Sequence, residues 1–144
     1  MTCSRTKGAS FERDVAKLLF GELGITFKRD LRQYQESDHG DLIADNPAFP
    51  FLIECKAYAS GTTCKPAWEA QAARAAQKIG MIPVVIYKFD RHPIRCRLGI
   101  DAIMTAHGAQ AVTHFSADLC IPGFAYVARE LMARNAEQAK WSST

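Results

Sequence analysis

A mixed β-sheet with α-helices packed on it, of α/β or α+β type, is predicted by three observations. Apolar residues recur at helical spacing near both ends of the chain and once in its middle. β-rich runs bounded by turn signals lie between those helices. No repeat, low-complexity tract or Pro/Gly/Ser linker divides the 144 residues, of which 48% are hydrophobic and 23% charged, so one domain spanning residues 1–144 is expected around one core.

The first element is a helix from about Gly8 to Glu22, with Phe11, Val15, Leu18 and Leu19 on one face and Gly24 as its stop. Ile25 to Arg29 reads as a short strand, and a polar loop through Gln33, Gln35, Ser37 and Gly40 follows. Asp41 to Asp45 is a second strand, and Asn46-Pro47 reverses the chain into a third, FLIECKA from Phe51. Alternation there puts Phe51, Ile53, Cys55 and Ala57 on one side, and Leu52, Glu54 and Lys56 on the other.

Pro66 suits the first turn of a helix whose buried stripe runs through Trp68, Ala72, Ala75, Ala76 and Ile79 to Gly80. Gln71, Arg74 and Lys78 form a polar stripe beside it. Pro83 to Phe89 and Ile94 to Ile100 are strands joined by a turn at Asp90 to Pro93. Asp101 is expected to cap a short helix, Ala111 to Phe115 to form a small strand, and Phe124 to Lys140 a final helix with Phe124, Val127, Leu131 and Met132 facing inward.

Composition excludes some classes of function. The longest apolar runs, near Phe49 to Ile53 and Met81 to Tyr87, fall far short of the roughly 20 residues of a membrane helix, so no membrane role is expected. No apolar segment follows the basic first residues, which argues against export. Five cysteines without a CxxC pair fit reduced thiols in a cytoplasm. The formal charge of +3 is modest, but it is unevenly spread. Residues 1–65 balance at nine basic and nine acidic side chains, whereas residues 66–144 carry nine against six. Arg74, Lys78, Lys88, Arg91, Arg95 and Arg97 in that second part are candidate phosphate contacts.

The chemistry concentrates elsewhere. Glu12 lies on the first helix, Asp41 opens the second strand, and Glu54 with Lys56 share one face of the third, about 6.6 Å apart along the strand. Such charges form a solvated ion pair on many surfaces. In this chain they follow the apolar run PFLI, where unpaired charge is costly and an anion cluster wants a cation. Magnesium takes hard oxygen ligands and keeps several waters, so Asp41, Glu54 and the Cys55 carbonyl suffice to hold it. A lysine two residues beyond Glu54 is placed to reach both an attacking water and a scissile phosphate.

Four segments in order resemble the PD-(D/E)XK phosphodiesterases, whose metal-dependent nucleases include restriction enzymes, RecB-type nucleases and archaeal-type Holliday junction resolvases. The resemblance runs from Lys7 to about Tyr87. KGASFERDVAKLL is similar to the opening helix of the resolvase branch and carries Glu12. SDHGDLI matches the segment of the first strand carboxylate, Asp41. IECKAY matches the E-x-K core with Glu54 and Lys56, and AWEAQAARAAQKIG resembles the next helix, placing Gln71 near the site. Gly40 stands where the family signature names a proline. Ser37 corresponds to a serine that assists resolvases, and Asp38 competes with Asp41 as ligand.

The resemblance implies an α/β, restriction-endonuclease-like mixed sheet flanked by helices. It implies a Mg2+-dependent endodeoxyribonuclease, with Mn2+ as a substitute, hydrolysing DNA by in-line attack of water. Metal ligands would be Glu12, Asp41, Glu54 and the Cys55 carbonyl, with Lys56, Gln71 and Ser37 assisting. A Holliday junction resolvase acting as a homodimer on four-way or branched DNA is the leading expectation. A restriction- or repair-type nuclease, an inactive DNA-binding module and a structural protein are its rivals. Other signals are weaker. His92 and Cys96 have no second pair to complete a zinc site. His39 adjoins the site and could bind phosphate or move a proton, although a lone loop histidine is usually just solvated. Cys55 and Cys64 have no nucleophile pair with a histidine, and Trp68 could stack on a base but sits on the apolar helix stripe.

Overall fold

The computed structural model describes residues 4–31, 40–110 and 112–142. Ser37, Asp38 and His39 lie outside these residues, as do Gln33 and Gln35 of the same loop. The elements are α1 (Ser4–Leu23), β1 (Phe27–Arg29), β2 (Leu42–Ala44), β3 (Phe51–Tyr58), α2 (Pro66–Ile79), β4 (Ile82–Phe89), β5 (Arg95–Gly99), α3 (Ile100–Ala106), β6 (Ser116–Leu119) and α4 (Ile121–Ser142). The architecture is α/β: one mixed six-stranded sheet, in the order β1-β2-β3-β4-β5-β6, with helices on both faces.

Every neighbouring strand pair is antiparallel except β3 and β4. In that pair α2 carries the chain back to the starting end of the sheet, so both strands run the same way. Pro66 opens α2 where its missing N–H costs nothing. Gly80 closes it at φ 67°, the left-handed conformation of a helix stop.

Alternation along the strands sorts the core. Phe51 and Ile53 of β3, Val84 and Ile86 of β4, and Cys96 and Leu98 of β5 meet Phe11, Val15 and Leu19 of α1 and Phe124, Val127 and Leu131 of α4. On the opposite face Leu52 meets Ala75 and Ala76, while Val85, Tyr87 and Phe89 meet Trp68 and Ala72. The alanines let α2 lie close to the sheet.

Some expectations need correction. Leu18 and Ile79 are 44% and 60% exposed, because each lies one step round its helix from the residues that actually face the sheet. The last strand is Ser116–Leu119, and residues 112–115 are irregular: pairing with β5 fixes it by register (Gly99 opposite Ser116, Leu98 opposite Ala117), which local propensity does not report. Gly99, not Asp101, is the N-cap of α3, and Asp101 lies in its first turn. No helix among the described residues is long and apolar enough to cross a membrane.

Candidate active site

The third strand carries Glu54 and Lys56 onto the α2 face at the level where β2 begins. Leu42 is the residue of β2 in register with Ile53, so Asp41, just before it, falls beside the backbone of residues 53–55. The Asp41 N–H donates to the Ile53 carbonyl (2.8 Å), the Asp41 carbonyl accepts from the Asp30 N–H (2.9 Å), and Asp41 Oδ2 accepts from the Cys55 N–H at 2.6 Å. Backbone on both sides therefore fixes this carboxylate. In an extended strand a residue's N–H and C=O point to the same edge, which aims the Cys55 carbonyl toward the Asp41 side as well.

Gly40 is explained by the same close approach. A Cβ at position 40 would sit 2.9 Å from Leu52 Cγ and 3.0 Å from the Ile53 carbonyl oxygen, so a side chain at this point would push the segment off β3.

Glu54 is 3% exposed, and Lys56 Nζ lies 3.5 Å from its Oε1. Its other oxygen, Oε2, is buried without a hydrogen-bond partner. Burial and the adjacent Glu54 charge push the Asp41 carboxyl up to about 8, overriding the Cys55 N–H that favours its anion. Burial also raises Glu54, against the pull of Lys56 and of a hydrogen bond from Asp41. Two carboxyl groups thus share one place, with Asp41 holding a proton that a divalent cation would displace.

Glu12 reaches this place from α1. It is buried, its charge acts on both Asp41 and Glu54, and Arg29 Nε on β1 donates to its Oε2 at 2.6 Å. Among the described residues no three of His, Cys, Asp and Glu stand close enough to hold one metal on side chains alone. Glu12 is a neighbour held by a guanidinium, and the compact oxygen set consists of Asp41, Glu54 and the Cys55 carbonyl. Sequence reasoning does not find Arg29. The available signal was its place at the end of β1, opposite Leu42 and hence next to Asp41.

The remaining candidates spread out. Gln71 is half-buried on α2, while Arg74, Lys78, Lys88 and Arg91 are exposed. Arg95 donates to the Thr62 carbonyl (3.1 Å), and Arg97 is clamped between Glu69 and Asp118, each at 3.1 Å. Burial, with Asp41, Glu12 and Glu54 around it, holds the Cys55 thiol well above its ordinary range, which leaves it inert as a nucleophile.

No curated protein matches the chain. The structure of Archaeoglobus fulgidus Hjc, a Holliday junction resolvase from an archaeal hyperthermophile, is similar at 20% identity and a TM-score of 0.49, covering 79% of this chain and 84% of that one. The family model described as "Phage putative PDDEXK endonuclease" matches residues 3–138. That match takes in Glu12, Asp41, Glu54 and Lys56 together with nearly all of the sheet and helices, and the chain belongs to this PDDEXK endonuclease family and is a nuclease.

Proposed function

We propose that the protein is a Mg2+-dependent endodeoxyribonuclease that cuts branched DNA, with the four-way junction as its leading substrate. The observation that carries the metal-dependent reading is Glu54 Oε2, a buried carboxylate oxygen without a hydrogen-bond partner beside a carboxyl group that retains its proton. Such a set lacks one cation, and its all-oxygen composition suits a hard divalent ion. PDDEXK nucleases are generally dependent on divalent metals. Mn2+, with similar ligand preferences, is expected to substitute.

Asp41, Glu54 and the Cys55 carbonyl would hold the cation, with Glu12 acting through water from its place against Arg29. The bound ion supplies a positive field that polarises the phosphate and the attacking water. Lys56, close to Glu54, stabilises charge developing on the phosphate and keeps a donor on the nucleophile. Gln71 positions the phosphate or the Lys56 ammonium, and Ser37 retains the assisting role that the resemblance gives it. Arg74, Lys78, Lys88 and Arg91 would track the DNA backbone, whereas Arg95 and Arg97 would have to leave internal partners to do so.

The junction preference rests on the likeness of KGASFERDVAKLL to the resolvase opening helix, and paired cuts on a two-fold substrate suit a homodimer. Four-way junction, fork and linear duplex, each incubated with Mg2+ and with chelator, test the whole reading. Symmetric cuts in the junction with Mg2+ alone are expected. Faster cutting of linear duplex would move the protein to restriction- or repair-type work, and binding without cleavage under either condition would make it an inactive DNA-binding module.

A further inference from the structure

Beyond Lys56 the same strand face continues to Tyr58, about 6.6 Å further along β3. Tyr58 is 43% exposed, yet its ring is backed from beneath. Trp68 of α2 stacks on it with centroids 5.1 Å apart and planes 16° from parallel. Trp68 is itself buried against Tyr87 (6.2 Å) and Phe89 (6.0 Å). The Tyr58 carbonyl accepts from the Asp90 N–H at 3.1 Å, which anchors the strand end. Lys65, at the N-cap of α2, places Nζ 5.4 Å from the centroids of both rings. An ammonium equidistant from two stacked rings lies beside the stack, so it leaves the outer face of Tyr58 uncovered.

A supported aromatic face, an adjacent cation and a position next to a phosphate-cleaving site fit one class of ligand. We infer that Tyr58, backed by Trp68 and flanked by Lys65, is a stacking platform for an unstacked nucleotide adjoining the scissile phosphate, with Lys65 meeting the next phosphate. This rests on the nuclease reading and deepens it by naming what the enzyme selects. Bases inside continuous duplex are stacked on both faces and have none to offer. Nucleotides at a branch point, flap or unpaired stretch do, and stacking on a fixed ring accepts any base. A ring already stacked on Trp68 has less side-chain freedom to lose on binding. The order along β3 is then functional: Glu54 for the cation, Lys56 for the reacting phosphate, Tyr58 for the neighbouring base.

Binding is best measured in chelator, where turnover does not interfere, with a short unpaired oligonucleotide carrying 2-aminopurine and with the same sequence fully paired. Tyr58→Ala should bind the unpaired strand about tenfold more weakly than the parent and leave paired DNA within about twofold. Tyr58→Phe should retain parental affinity, since the ring and not the hydroxyl is used. Lys65→Ala should lower the slope of log affinity against log salt by about 0.7 on the unpaired strand. Equal loss on paired and unpaired DNA, no loss at all in Tyr58→Ala, or a parent that ignores the unpaired strand would overturn the platform. Tyr58-dependent binding with no cleavage of any substrate in Mg2+ would instead sink the nuclease reading and leave the platform standing.

Discussion

Two groups of charges lie on the same face of the sheet, and they are finished differently. Register puts Glu54, Val85, Arg97 and Asp118 in one lateral row across β3, β4, β5 and β6. At the β5–β6 end the charges of the row are paired. Arg97 joins Glu69 to Asp118, the Tyr87 hydroxyl donates to Asp118 at 2.9 Å, and against the effect of burial the two carboxylates raise the Arg97 pKa. At the β3 end a carboxylate oxygen is orphaned and a neighbouring carboxyl is pushed up to about 8. Buried polar groups in a purely structural role end up paired, as Arg97 does. Beside Asp41 one buried oxygen, Glu54 Oε2, keeps no hydrogen-bond partner although Lys56 stands at the other, and a cation from outside would find its place there. A cavity of about 180 Å³ beside Arg97, lined by Glu69, Val85, Asp101 and His114 among others, shows the same contrast, since its one arginine is already committed.

The largest test of this contrast is loss of activity. Glu54→Ala should bring cleavage to background, and Lys56→Ala should lower it by about 10² to 10³, the usual cost of removing one donor from developing charge. Both variants should keep the parental circular dichroism spectrum. Saturating Mg2+, near 100 times its dissociation constant, should stabilise the parent by about 2.7 kcal/mol and Glu54→Gln far less, as read from denaturation midpoints. Arg97→Ala should leave cleavage within about twofold, because it removes none of the groups at the reacting end. Equal losses in the Glu54 and Arg97 variants would erase the distinction.

Protons sharpen it next. A carboxyl whose folded pKa lies above its unfolded value binds more protons folded than unfolded between the two values. Metal-free stability therefore falls as pH rises from near 3.8 toward 8, then levels. A Mg2+ ion bound there would replace that proton, so the stabilisation by metal should grow across the same window. Thermal melts at pH 5 and pH 8, with chelator and with Mg2+, measure both slopes, and Asp41→Asn should flatten them. A metal-free protein that gains stability over this range would refute the shared-site electrostatics.

Much of this contrast was legible in the sequence, and the reason is periodicity. Alternation in FLIECKA assigns Glu54 and Lys56 to the same side and opposes them to Phe51 and Ile53, a division that the core reproduces. Asn46-Pro47 announces the reversal that brings Asp41 to β3, and Pro66 and Gly80 bracket α2. What escaped notice depends on contacts distant in sequence. Arg29 meets Glu12 across 17 positions and Arg97 meets Glu69 across 28, so neither pairing leaves a local pattern. β6 likewise exists where β5 needs a partner, not where residues 111–115 look most β-prone. Trp68 reads as a core residue and is one, but its stacking on an exposed Tyr58 emerges only once β3 and α2 are in place.

The finished end of the row makes its own prediction, in stability instead of rate. Arg97→Ala leaves the half-buried Glu69 and the more exposed Asp118 without their cation and unties α2 from β5 and β6. The expected cost is about 1–2 kcal/mol, above that of a surface pair because one guanidinium serves two carboxylates. In a chain of this size that lowers the melting temperature by several degrees. Arg97→Lys should recover only part of it, since an ammonium lacks the fork that spans two acceptors.

The smallest effect belongs to a charge pair in neither group. Lys7 Nζ on α1 donates to Asp90 Oδ1 at 2.6 Å, in the turn between β4 and β5, and this holds the Asp90 carboxyl below its usual value. A lowered carboxyl contributes stability above its unfolded pKa and loses it as pH falls through the folded value, so any gain is present at neutral pH and absent in strong acid. Asp90 is solvent-exposed, and water and salt screen the pair. Lys7→Ala should return the Asp90 titration, followed by NMR, toward 3.8 while the denaturation midpoint at pH 7 stays within error. A clear drop in that midpoint would show the pair acting as a tether between α1 and the β4–β5 turn, and paired charges outside the core would then stabilise the fold as strongly as the Arg97 bridge does.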